Sequence, residues 1–240
     1  METATDKLPA EESTRILDMT VRGCEAARAA AAALVDGLTA ASPEPFSRVR
    51  EREEELDTLD REINEAVTTA ITHCGSGLEA RELLACLKVV IEVERISDLL
   101  LGFANRARAI FDRLEAHDLK DLSTMAVLLH KMLTEALEAF SKRDAEAALG
   151  VLRIDAEMDR LRNLLFVRHI ENPEKAPRQE SFHVVFMTQE LERAGDHAKN
   201  VAEEVVHLVT GRSVRHLLRS QDKPDEVRFL DFMRRRQGGR

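Results

Sequence analysis

Apolar residues recur along this chain at alternating steps of three and four, the spacing of residues on one face of an α-helix. No segment shows the sustained alternation of apolar and polar residues that marks a half-buried strand. Proline and glycine occur almost only where one helical segment gives way to the next. The pattern therefore predicts an all-α protein. Its six expected helices cover residues 11–40, 46–73, 79–116, 121–141, 144–170 and 178–210, with Asp121 and Asp144 capping the fourth and fifth.

The third and sixth helices carry the clearest apolar stripes. In the third helix the stripe comprises Val89, Val93, Ile96, Leu100, Phe103, Ala107 and Ile110. In the sixth helix it comprises Met187, Leu191, Ala194, Ala198, Val201, Val205 and Leu208. Stripes of this kind are the seams along which the helices of a bundle pack. Because the two stripes have the same spacing and phase, they indicate two similar modules.

A short acidic motif accompanies both stripes. The third helix contains Glu94-Arg-Ile-Ser-Asp98, and the sixth contains Glu192-Arg-Ala-Gly-Asp196, ninety-eight residues later. Each motif places two carboxylates four residues apart, one above the other on one helix face, beginning one residue past the seam. We therefore expect two tandem three-helix bundles, residues 1–117 and 118–216. Residues 1–10 are expected to be disordered, and 217–240 to form a basic, flexible tail.

The second and fifth helices offer more oxygen ligands in the same relation to their own apolar stripes. The second helix carries Asp60 and Asn64, and the fifth carries Asp155 and Asp159. If these helices are antiparallel neighbours of the third and sixth, the oxygen pairs of each half can converge on a point between helices. Such a ligand set suits a hard or borderline cation such as Mg, Mn, Fe or Zn.

The same carboxylates also fit a purely structural role. A single acidic pair beside an arginine is usually a solvated helix face, with ion pairs that contribute only about a few tenths of a kcal/mol. Because the pair recurs in both halves, a functional site fits the pattern about as well as a structural one. A di-iron oxidase is disfavoured, because the Glu-x-x-His segments 180–183 and 204–207 lie on one helix, about 36 Å apart. His197 is expected at the surface or behind a ligand.

Charge and cysteine content narrow the class of protein. The net charge of −9 argues against nucleic acid as a partner, because phosphate contacts need clustered Lys and Arg. Cys24, Cys74 and Cys86 form no CxxC pair and are expected to be small buried side chains in a reduced compartment. The N-terminus lacks an export signal, and no apolar run reaches the ~20 residues needed to span a bilayer. We expect a cytoplasmic protein without a membrane span.

The two motifs and their flanks resemble the PhoU family of phosphate-uptake regulators. Family members carry a helical Leu-Glu-Arg-Ile-Gly-Asp segment in each of two three-helix bundles, often with Asn four residues after the Asp. This chain has Val93-Glu-Arg-Ile-Ser-Asp98 and Leu191-Glu-Arg-Ala-Gly-Asp196, the second followed by Asn200. The similarity covers roughly residues 15–216. It includes Lys88, Phe140 with Asp144 and Ala147, and Gly211-Arg-Ser-Val-Arg-His216.

Departures from the family pattern make the two halves unequal. Gly102 stands where Asn often follows the first motif, and Asn64 stands where the fifth helix has Asp159. The resemblance therefore favours a second-half metal site made of Asp155, Asp159, Glu192, Asp196 and Asn200. A weaker first-half site would be made of Asp60, Glu94 and Asp98.

The resemblance implies a regulator and not an enzyme. Family members restrain phosphate uptake and phosphate-starvation signalling by linking the ATPase subunit of the phosphate ABC transporter to a sensor histidine kinase. They also bind metal at acidic motifs and form dimers. We therefore expect both protein partners, a divalent or iron-type metal ion and a homodimer. The alternative is a non-catalytic helical adaptor that scaffolds a complex without a functional metal site.

Overall fold

Six α-helices make up most of the part of the chain that the computed structural model describes, residues 10–171 and 178–212, and no strand occurs there. The side chains of residues 10, 153, 155 and 156 lie outside this description. The helices are α1 (Ala10–Thr39), α2 (Ser47–Ala70), α3 (Gly77–Ile110), α4 (Ala116–Lys142), α5 (Ala145–His169) and α6 (Gln179–Thr210). The all-α prediction is confirmed. The expected disordered start and basic tail lie mostly outside the described residues.

The helices form two similar bundles, α1–α3 and α4–α6, that lie side by side. The bundles meet where α3 packs against α6 and α1 packs against α4, and the buried residues of both form one continuous core. Every residue of the two apolar stripes is buried, as their spacing predicts. The link between bundles spans residues 111–115, so the expected boundary at 117/118 falls in the first turn of α4.

One of the two predicted helix caps is correct. Asp144 Oδ1 accepts hydrogen bonds from the backbone nitrogens of Glu146 (2.9 Å) and Ala147 (3.0 Å) at the start of α5. The Asp121 cap is wrong, because α4 begins five residues earlier than predicted, at Ala116. Asp121 lies inside the helix, 2.7 Å from the Arg168 guanidinium. The apolar pattern does not predict this first turn, because the residue that it buries is the carboxylate Asp118 and not an apolar side chain.

Asp118 ties the start of α4 to the end of α5. Its side chain is nearly inaccessible, with the residue 2% exposed, and its Oδ1 lies 2.8 Å from His169 Nε2 and 3.1 Å from Arg168 Nη1. His117 Nε2 lies 3.3 Å from the same oxygen. Burial opposes ionisation, but the hydrogen bond from His169 and the surrounding positive charge outweigh it and lower the pKa of Asp118. This carboxylate is therefore stabilised as an anion in the folded protein.

Phe46 closes one end of the first bundle. Its ring meets Phe103 and Phe111 edge-on, with ring centroids 6.3 Å and 5.8 Å apart. The same ring lies against the backbone of α1 at Gly37, where an added Cβ would clash with Phe46 Cε1. Gly37 is therefore required by the close approach of a buried ring, although glycine is a poor helix former.

Two of the three cysteines are buried as expected. Burial is the main cause that raises the pKa of the Cys24 thiol to about 12 and that of Cys86 to about 11. Both thiols therefore stay protonated and unreactive at neutral pH. Cys74 is half-buried. Among the described helices, none combines the length and apolarity that a membrane crossing demands.

Replacing Gly37 by Ala should destabilise the protein by about 1–3 kcal/mol, because the added methyl group overpacks the Phe46 ring. Gly23→Ala, in the same helix, is the matched control. Its Cβ would meet Val93 and Val90 at ordinary contact distances of 3.9 and 4.0 Å. The control should be neutral or stabilising by up to about 1 kcal/mol. Urea unfolding measures both, and equal effects of the two variants would contradict the packing argument.

Asp118→Asn should destabilise the protein by about 1–3 kcal/mol at neutral pH, where it leaves a buried ion-pair network incomplete. Because the folded-state pKa of Asp118 is lowered, its contribution is full above the unfolded-state pKa, near 3.8. It is lost as the pH falls through the lower folded value. Urea unfolding at pH 7, 5 and 3 should show the wild type and the variant converging only at the lowest pH.

The exposed Asp112→Asn variant controls for the general effect of removing a carboxylate at the same end of the molecule. A difference between wild type and Asp118→Asn that stays constant from pH 7 to pH 3 would contradict the assignment.

Candidate functional site

The first-half carboxylates lie along the packed pair α2 and α3. Asp60 is on α2, and Asn64, one turn later, donates from Nδ2 to Asp60 Oδ1 (3.0 Å) and to the Asp60 backbone carbonyl (2.8 Å). Asn64 therefore holds the Asp60 side chain in place. Glu94 and Asp98 are one turn apart on α3, and the Glu94 carboxylate lies 3.5 Å from the guanidinium of its neighbour Arg95.

These first-half carboxylates interact across the two helices. Burial raises the pKa of Glu94, and repulsion from Asp98 and Asp60 adds to the effect while Arg95 opposes it. Burial also raises the pKa of Asp60, opposed by the hydrogen bond from Asn64. Glu94 on α3 therefore senses the charge of Asp60 on α2. The charges of Asp60 and Asp98 thus act on Glu94, but the three described side chains are not arranged to hold one metal ion.

The second-half carboxylates are arranged around an arginine that the sequence pattern did not single out. Arg162 on α5 places Nη2 3.3 Å from Asp159 Oδ1, on its own helix, and Nε 3.7 Å from Glu192 Oε1 on α6. The guanidinium thus lies between two of the expected metal ligands. The spacing Asp159-x-x-Arg162 was the available signal, because residues three apart share a helix face. Asp196 is exposed, and the side chain of Asp155 lies outside the described residues.

Asn200, the fifth expected second-half ligand, lies at the interface between the bundles. Its Nδ2 donates to Glu92 Oε2 on α3 (3.0 Å). His197 Nδ1 lies 2.6 Å from the same oxygen, so this half-buried histidine also belongs to the interface. Two steps of four residues from Glu192 rotate a side chain by about 80° around the helix. That rotation carries Asn200 from the face of Glu192 towards α3.

Gly102, which occupies the equivalent position in the first half, also faces the opposite bundle. A Cβ there would lie 2.7 Å from Glu190 Oε1 on α6, and Arg106 Nε donates to that oxygen (3.0 Å). Burial raises the pKa of Glu190, and the Arg106 pair opposes this. Glu92 and Glu190 are ninety-eight residues apart and so occupy equivalent positions in the two halves. Gly102 and Asn200, which are also equivalent, therefore each face a glutamate of the opposite bundle. The glycine makes room for a glutamate across the interface.

The fit of a metal ion differs between the halves. Among the described side chains, no three of His, Cys, Asp or Glu are arranged to hold one ion. In the second half, a guanidinium stands between Asp159 and Glu192, so these two side chains as placed do not fit a shared metal ion. In the first half the position equivalent to Arg162, three residues after Asn64, is the buried Val67. Its carboxylates are the donor type that divalent cations take, but their side chains would have to converge.

A second surface lies on α5 and α6. Phe166, Phe182 and Phe186 are 41%, 50% and 48% exposed, which is unusual for aromatic side chains. Phe166 lines a cleft of about 260 Å³ together with Arg162, Val185, Thr188, Gln189 and Glu192. Phe182 and Phe186 lie one turn apart on α6, and the Arg106 guanidinium sits 4.9 Å from the Phe186 ring centre. The signal in the sequence was that both residues fall off the buried stripe of α6.

Comparisons with known proteins cover most of the chain. The family model of the PhoU domain matches residues 21–107 and again residues 122–205. A relative from Pseudomonas aeruginosa, named phosphate-specific transport system accessory protein PhoU homolog, is 32% identical over 177 residues, 71% of this chain and 72% of the relative. A relative of the same name from Zymomonas mobilis is 30% identical over 192 residues, 78% of this chain and 81% of the relative.

Solved structures are similar as well. The crystal structure of PhoU from Pseudomonas aeruginosa matches with a TM-score of 0.74 and 25% identity, covering 84% of this chain and 99% of that one. PhoU from Streptococcus pneumoniae matches with a TM-score of 0.65 at 20% identity, which supports the fold. The two matched segments coincide with the two bundles, and the acidic motif occurs in each. The resemblance carried by the motifs is confirmed, and the chain belongs to the PhoU family.

Proposed function

We propose that this protein is an accessory regulator of a phosphate transport system and not an enzyme. The observation that carries the proposal is the match of the PhoU domain in both bundles, together with relatives named as phosphate-specific transport accessory proteins over most of their length. The interhelical polar contacts described above join the helices of the fold to one another. Glu92, Glu190 and Glu192 each pair with asparagine, histidine or arginine on a neighbouring helix.

The finer proposal is that the protein links the transporter ATPase subunit to a sensor histidine kinase and thereby restrains phosphate uptake and starvation signalling. A linking protein needs separate surfaces for its partners. The described residues offer two that differ in chemistry: the acidic face of α2 and α3 in the first half, and the exposed aromatic face of α5 and α6 in the second. Exposed clustered aromatics are typical of protein-binding surfaces.

Capture of partners from phosphate-replete cells tests this role. The wild-type protein should recover the ATPase subunit and the kinase, identified by mass spectrometry. Phe182→Ser with Phe186→Ser should lose one partner and keep the other, because it removes apolar contact area from a single face. Leu78→Ser is the matched control, since Leu78 is an exposed apolar residue of α3. Recovery of neither partner by the wild type would count against the proposal.

We also propose that the first half binds a divalent or iron-type ion through Asp60, Glu94 and Asp98, with Mg, Mn, Fe and Zn as the candidates. Support comes from the three carboxylates that interact across α2 and α3, and from the buried Val67 that stands at the position equivalent to Arg162. Carboxylate oxygens are the ligands that such cations prefer. An ion there would offset the repulsion among the carboxylates.

Calorimetric titration with Mn²⁺ tests this site. Asp60→Asn combined with Glu94→Gln should weaken binding at least about tenfold, because each substitution removes a charged ligand from the ion. The control is Glu62→Gln combined with Glu65→Gln, which removes two exposed carboxylates from α2 outside the site. Equal affinity of the site variant and the control would contradict the assignment.

A second candidate function is a helical adaptor that works without metal, and the exposed Phe166, Phe182 and Phe186 favour it. For an adaptor, partner capture should survive the Asp60 and Glu94 substitutions and treatment with EDTA. For a metal-dependent regulator, the same treatments should impair capture or regulation. The homodimer and the cytoplasmic location stay predictions, and sedimentation at several protein concentrations checks the first.

A further inference from the structure

We propose that Arg162 is the built-in counter-cation of the second-half acidic face, standing where a metal ion would otherwise bridge Asp159 and Glu192. The inference rests on the proposed function in one respect, since it confines metal binding to the first half. It rests otherwise on Arg162 alone, which joins a carboxylate of α5 to a carboxylate of α6 at 3.3 and 3.7 Å.

The guanidinium is partly shielded on the side that faces Glu192, whereas the Asp159 side chain is 50% exposed. The Glu192 side chain is 17% exposed and that of Arg162 is 40% exposed, so water screens this contact less than it would a pair on the open surface. The Arg162 side chain also lines the α5–α6 cleft beside Phe166 and Val185. Its Nε is buried without a hydrogen-bond partner, so charge and not a hydrogen bond draws that nitrogen towards Glu192. An incoming divalent cation would meet a like charge between its prospective ligands.

The first half has no cation at the position corresponding to Arg162. Val67, at the position equivalent to Arg162, is buried in the core and carries no charge. The arginine in contact with Glu94 is Arg95, which belongs to the same helix and has a side chain 60% exposed. Its charge also opposes the rise that burial causes in the pKa of Asp60 on α2, but it acts there from the exposed side of the helix pair. The second half has four expected carboxylate ligands against three in the first half, but its own α5 supplies a cation between two of them. The two acidic faces therefore differ in the placement of their arginine. Arg162 lies between a carboxylate of α5 and one of α6, whereas Arg95 is exposed and pairs with the neighbouring Glu94.

The test compares Arg162→Gln with the wild type by Mn²⁺ binding and thermal unfolding. Removing the cation leaves Asp159 and Glu192 facing each other, so the melting temperature should fall by about 2–4 °C. The variant should also bind one more Mn²⁺ per chain than the wild type, and Mn²⁺ should restore its melting temperature. Adding Asp159→Asn and Glu192→Gln to the variant should abolish the extra binding.

Arg160→Gln is the matched control, because Arg160 lies on the same helix and pairs with Glu157 at 2.6 Å on the surface. It should bind Mn²⁺ with the stoichiometry of the wild type. Arg162→Lys, which keeps the charge, should do the same. An Arg162→Gln variant with unchanged stoichiometry overturns the inference.

Glu192→Gln in the otherwise unchanged protein gives a second measurement that does not depend on the folding of Arg162→Gln. Its Mn²⁺ affinity should equal that of the wild type, and a tenfold loss would overturn the inference. The outcomes also separate the two proposals. If the wild type binds no Mn²⁺ and Arg162→Gln binds one ion, the first-half metal site fails and the role of Arg162 stands. If the Asp60 and Glu94 substitutions abolish Mn²⁺ binding and Arg162→Gln gains no ion, the first-half metal site stands and the proposed role of Arg162 fails.

Discussion

The packing of α3 against α6 is the interaction on which the rest of this structure depends. Three charged contacts run along it in antiparallel order: Lys88 with Glu204, Glu92 with Asn200, and Arg106 with Glu190. Between them lie the buried stripes of both helices. The apolar stripes supply most of the burial, whereas the polar contacts fix the register, because sliding either helix by one turn would unpair all three. This interface sets the distance between the acidic faces of the two halves.

A repeated fold does not imply two copies of one site. The two bundles share the apolar stripe and the acidic motif. They also share a position, Gly102 or Asn200, that faces a glutamate of the opposite bundle. Single residues nevertheless change what each face can do, since Gly102 replaces an asparagine and Arg162 replaces the apolar Val67. Charge is the property that differs most. A protein whose second-half carboxylates pair with Arg162 would respond to added cations mainly through its first bundle.

Helix number, helix type and core residues followed from the sequence, because amphipathic spacing reports directly which face is buried. The seven-residue stripe from Val89 to Ile110 is buried as predicted. The start of α4 did not follow, since its first buried residue is the aspartate Asp118, which hydropathy assigns to solvent. For the site, the carboxylates could be found by spacing, but the role of Asn200 required knowing that α3 lies beside α6. Arg162 required knowing that its side chain crosses from α5 to α6.

The stacking of Arg106 on Phe186 connects the exposed aromatic face to the interior of the molecule. The same guanidinium that lies over the ring holds Glu190 beside Gly102. A molecule that covers Phe186 would also strip water from Arg106, and an ion pair strengthens as its surroundings become less polarisable. Occupancy of the outer surface would thereby tighten the contact between α3 and α6. Binding at the aromatic face would in this way be coupled electrostatically to the packing of the two bundles.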